Sequence, residues 1–120
     1  MKFMLLCYDD EDYWENAEPA THEAAIAEAV ALTRELNDKG QYILSAPLAH
    51  SRQAKGVRVR EGQTLVIDGP FAETREVLGG FHLIDVPDLD AAIRAAQLHP
   101  GAKVGTVEIR PGLEIAGLPD

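Results

Sequence analysis

The order in which alternating and helical apolar patterns follow one another predicts an α+β domain, a ferredoxin-like split βαβ unit with one β-hairpin inserted. Three observations carry that expectation. Signals for strand, helix, strand, hairpin, strand, helix and strand succeed one another within 120 residues, a length that suits one core, so residues 1–120 are read as a single domain. Two helices can cover only one face of such an antiparallel sheet. Two strands are nevertheless apolar on both faces, so a second cover is required. A further copy of the same sheet, making a two-fold homodimer with an enclosed space between sheets, is the economical one.

Taken in order, Phe3 to Tyr8 is apolar at odd and even positions alike, as in a strand covered on both sides. The acidic run Asp9-Asp10-Glu11-Asp12 reads as a loop, and Pro19 opens the first helix. Its apolar positions Ala25, Ile26, Ala29, Val30, Leu32 and Leu36 recur at helical spacing up to a C-terminal Gly40. Tyr42 to Leu48 forms the second strand. The alternation Gly56-Val57-Arg58-Val59-Arg60, the turn Glu61-Gly62-Gln63 and the return over Thr64 to Ile67 make the hairpin. Asp68 to Gly80 is a loop, with Gly79-Gly80 as a turn into the strand Phe81 to Val86. Asp88 caps a short helix, Leu89 to His99, stopped by Pro100-Gly101, and Val104 to Arg110 is the last strand.

Charge narrows the partners. Twenty Asp and Glu against eleven Lys and Arg leave a net charge of −9, and the cations are scattered among acids, so neither nucleic acid nor an anionic membrane is an expected partner. Cys7 has no intrachain partner and reads as a small buried thiol. The N-terminal apolar stretch is too short for a signal-peptide core, and no segment approaches transmembrane length, so a cytoplasmic location is expected. No two of the four histidines stand at metal-ligand spacing, so no metal is expected.

The stretches DGPFAETREVLGGF at 68–81, LIDVPDLDAAIRAA at 83–96 and VEIRPG at 107–112 are similar to those of the DGPF, or YCII-related, family of small bacterial proteins. MKFMLLCY at the N-terminus and the run from Gly40 into this motif extend the resemblance over nearly the whole chain. The resemblance implies a dimeric α+β barrel, with a His and an Asp in a pocket near the dimer interface. One branch of the group resembles a dehydrochlorinase of hydroxylated aromatics, and some members are encoded beside extracytoplasmic-function sigma factors. Arg75 departs from the commoner lysine of the motif. It excludes a Schiff base or proton-abstracting group there and retains a fixed positive charge.

His22 lies three residues before Ala25 and four before Ile26, on the inward stripe of the first helix. Asp68, where an apolar strand meets a Gly-Pro loop, is the candidate partner: His22 as general acid or base, Asp68 as the group that orients its ring. Asp68 also suits a turn, accepting bonds from backbone N–H groups, and His22 also suits a half-buried first-turn position. Tyr8, Phe71 and Arg75 are candidate substrate-binding residues, with Tyr13 and Trp14 near Tyr8 as a candidate aromatic wall. Arg75 is equally read as the ion-pair partner of Glu73 or Glu76, and His99 as a cation at a helix C-terminus. Two functions follow: a cofactor-independent lyase or isomerase acting on a small molecule, or a non-catalytic module that senses a ligand or contacts a sigma-factor-like partner.

Overall fold

The computed structural model describes residues 1–70, 72 and 74–119. Along the chain run β1 (Lys2–Asp9), α1 (Glu11–Glu15), α2 (Pro19–Asp38), β2 (Tyr42–Pro47), a 3-10 turn (Ser51–Gln53), β3 (Lys55–Arg60), β4 (Gln63–Asp68), β5 (Val77–Asp85), α3 (Leu89–Gln97), α4 (Gly101–Val104) and β6 (Thr106–Pro111). The main sheet has the order β2-β5-β1-β6, and its pairs are antiparallel. Its first and third strands lie at the centre, which is the ferredoxin-like arrangement, while β3 and β4 form a separate two-stranded ribbon. The α+β fold class expected from the sequence is the one found.

Alternation decides which side chains meet. Phe3 and Leu5 of β1 and Ile84 of β5 face the helices and are fully buried, against Leu32 and Leu36 of α2 and Ala92, Ala95 and Ala96 of α3. The alanines let α3 approach the sheet closely. On the other face Met4 stands opposite Leu83, Leu6 opposite Phe81, and Leu44 and Ala46 of β2 opposite Leu83 and Phe81. Among the described residues no helix lies on that face, and the molecule is a slab of 47 × 46 × 18 Å.

Three elements differ from the sequence expectation. The acidic run is helical in part, because Asp10 caps α1 by accepting from the Asp12 N–H at 2.9 Å and the first-turn acids Glu11 and Asp12 suit a helix N-terminus. Beyond Pro100 the chain makes one more turn, α4, before β6. Gly79 and Gly80 lie inside β5 and not in a turn: Cys7 pairs with Gly80 and Tyr8 with Leu78, so Gly79 is the extra residue of a β-bulge.

Candidate functional site

Helix α2 buries only Leu32 and Leu36, both in its second half. Nearer its start it stands off the sheet, leaving Ile26 62% and Val30 43% exposed. Between helix and sheet lies a cleft of about 650 Å³, in the size range of small-molecule sites. Small residues leave this space open: Ala25 and Ala29 from α2, Ser45 from β2, Gly79 and Gly80 from β5.

At one end the cleft gathers Asp9, Trp14 and His22. The Trp14 Nε1–H donates to Asp9 Oδ2 at 2.7 Å, and the indole lies 5.7 Å from the His22 ring, centre to centre. Asp9 is packed from two sides. A side chain at Gly105 would collide with the Tyr8 carbonyl oxygen at 2.2 Å, and one at Gly79 would come within 3.2 Å of Asp9 Oδ1. Burial pushes the Asp9 carboxyl above its ordinary value, the Trp14 hydrogen bond opposes this, and the acids Glu11, Glu76 and Asp10 add to the rise. Trp14 is placed by α1, whose Glu11 accepts from the Ser51 N–H at 2.7 Å and from the Ser51 hydroxyl. His50 sits 3.5 Å from Glu11 and 3.3 Å from Glu15, and Arg52 meets Glu15 at 2.8 Å.

The floor and far end hold two neutral histidines. His82 is 6% exposed, with Nε2 3.1 Å from Thr33 Oγ1, and that hydroxyl donates its only proton to the Ala29 carbonyl at 2.9 Å. His82 Nε2 is therefore the donor, and Nδ1 is an acceptor buried without a partner among the described residues. Burial lowers the His82 pKa. His99 Nδ1 accepts from the Gly101 N–H at 2.9 Å, which places its proton on Nε2, 3.5 Å from Cys7 Sγ. Burial first, and His82 second, bring His99 down to about 4. The expectation of a cationic His99 at a helix end thus fails, because its ring is turned inward and desolvated. Cys7 is raised to about 11, by burial and then by Asp9, so it is a thiol and no activated nucleophile.

Of the residues singled out from the sequence, His22 borders the cleft. Asp68 ends β4 as expected, but its side chain is 86% exposed on the ribbon and ion-paired with Lys55. Among the described residues no hydrogen bond joins it to His22. Tyr8 borders a second cavity of about 680 Å³ with Lys55, Pro70 and Leu78, between the sheet and the ribbon. Arg75 is 90% exposed and pairs with Asp10 at 3.7 Å, not with Glu76; Glu73, its other expected partner, lies outside the described residues, as does Phe71. The carboxylate that shares a cleft with His22 is Asp9. Its signal was in the alternation of β1, since Phe3, Leu5, Cys7 and Asp9 all point toward the helices.

The family model for the YCII-related domain matches residues 1–116, nearly the whole chain. The chain belongs to the YCII-related family. This YCII-related protein is also 34% identical over 113 residues to an uncharacterized protein of Rhizobium meliloti (strain 1021), an overlap of 92% of this chain and 91% of that one. Among the described residues of the YCII-related chain, no three His, Cys, Asp or Glu side chains converge as metal ligands do, and no helix is long and apolar enough to cross a membrane.

Proposed function

We propose that this YCII-related protein binds a small, largely apolar molecule in the cleft under α2 and moves a proton on it without a cofactor, as a lyase or isomerase does. The observation that carries this reading is the meeting of Asp9, Trp14 and His22 at one end of an apolar cleft. A carboxyl raised by burial is a stronger base once ionised, and a histidine across the cleft takes or returns the second proton. Trp14 holds one Asp9 oxygen and leaves the other for the substrate. The earlier partner, Asp68, would need to reach the cleft from the ribbon of a second chain, whereas Asp9 is already there.

The working unit of this reading is a homodimer that buries the bare sheet face. Its support is the row Met4, Leu6, Leu44, Phe81 and Leu83 on a face without helices. A contiguous apolar surface of this kind is uncommon on a monomer.

The test is exchange of activated C–H protons in deuterated water, followed by NMR over a panel of apolar carbonyl compounds. His22→Gln and Asp9→Asn are expected to slow exchange at least about a hundredfold, and Asp68→Asn to leave it unchanged. If the compounds bind but none exchanges, the protein is the ligand-sensing module and proton transfer is lost as its function. Loss of exchange in Asp68→Asn alone would return the role to the ribbon.

A further inference from the structure

The cleft is long, and its two ends differ in charge. His22 and Arg34 both border it and lie twelve residues apart on α2, about 18 Å at a helical rise of about 1.5 Å per residue. The strands give a similar scale, since Asp9 pairs with Val77 and Leu5 with His82, four residues of β1 or about 13 Å. Between the ends the α2 wall is Ala25, Ile26, Ala29 and Val30. Arg34 is the one permanent cation among the residues that border the cleft. It makes no ion pair among the described residues: Glu35 is taken by Lys39 at 3.0 Å, and Asp38, one helical turn on, does not reach it. Arg52, Lys55, Arg75, Lys103 and Arg110 meet carboxylates, and Lys2, Arg58, Arg60 and Arg94, which make no salt bridge among the described residues, do not border the cleft. Thr33 and His82 are occupied with each other, so Arg34 supplies the free donors at this end.

We infer that the cleft takes an elongated, mostly apolar molecule ending in a single carboxylate, with the carboxylate on Arg34 and the opposite end at Asp9 and His22. The inference rests on the cleft being the binding site proposed above. A guanidinium fork matches one carboxylate in two parallel hydrogen bonds, and a lone cation in a chain of net charge −9 favours a monoanion over a phosphate. The orientation follows from Asp9, which repels an anionic group at its own end.

Calorimetry on the full chain tests this with octanoate, decanoate and dodecanoate beside the 1-alkanols of equal length, all below micelle formation. The carboxylates are expected to bind about tenfold more tightly than the matching alkanols, with affinity rising toward the longest chain. Arg34→Ala is expected to abolish that preference and leave alkanol affinity unchanged, and Arg34→Lys to keep part of it. Arg34 is exposed, so the variants fold. Equal affinity for acid and alkanol, or a preference that survives Arg34→Ala, overturns the inference. An Arg34-dependent carboxylate preference in a chain that exchanges no activated protons would keep this inference and drop proton transfer, and exchange without that preference would do the reverse, so the two failures are told apart.

Discussion

His99 and His82 show how a histidine becomes a fixed neutral ring and not a switch. His99 accepts from a backbone N–H and is buried, so protonating Nδ1 would set two donors against each other. Linkage gives the sign: its folded pKa of about 4 lies below the unfolded 6.5, so the unfolded chain binds the proton first. Stability is then full above the unfolded value and falls as pH drops toward the folded one, by on the order of 2 kcal/mol after allowing for partial exposure. Urea denaturation at a series of pH values between neutral and the folded pKa is expected to show this slope, and His99→Gln to flatten it. At His82 the cost is a missing partner. Thr33→Val leaves Nε2–H buried without an acceptor and is expected to cost about 1–3 kcal/mol, and His82→Phe added to it is expected to recover most of that. A double variant no more stable than Thr33→Val would contradict the assigned tautomer. Asp9 belongs to the same scale: its inward direction is readable from the alternation of β1, whereas the neutral state of His99 depends on burial and on His82, which only the fold brings beside it.

Among the elements, α2 and the central strands were legible because each repeats its pattern over several turns or alternations. Helix α1 was not. Five residues are too few to display a period, and an isolated helix of that length does not form in water. Its stability comes from across the fold, through Ser51, His50 and Arg52. Glu11→Ala removes two of those bonds and is expected to loosen α1 and move Trp14 emission toward the red, since the indole would lose its seat on Asp9. Unchanged emission would show that the Asp9 bond alone holds the ring. The paired glycines of β5 depart from the expected turn for a related reason. Glycine in a strand normally weakens it, so a turn is the natural expectation, while a bulge beside a half-buried carboxylate is a tertiary fact. Asp68 marks the opposite limit. Its place at a strand end was readable, but the direction in which a detached ribbon carries it is not written in local pattern.

At the scale of the molecule the radius of gyration is 16.3 Å, against about 14 Å for a compact chain of this length. One sheet with helices on one side, and a ribbon beyond it, accounts for the excess. Multi-angle light scattering at micromolar concentration is expected to return twice the monomer mass, and Leu83→Lys, which sets a charge in the middle of the bare face, to return the monomer. A wild-type monomer would mean that the apolar row stays in water. The ribbon itself carries a further consequence. It shares no ladder with the main sheet, and its root is tied by the Gly69 N–H to the Ala54 carbonyl at 2.8 Å and by the Lys55–Asp68 pair. Two strands without a packed face are marginal alone, so β3 and β4 can open as a cooperative unit while β1 and β5 stay closed. In hydrogen–deuterium exchange the ribbon amides should therefore lose protection together and well before those of the central strands, a separate clock within one small chain.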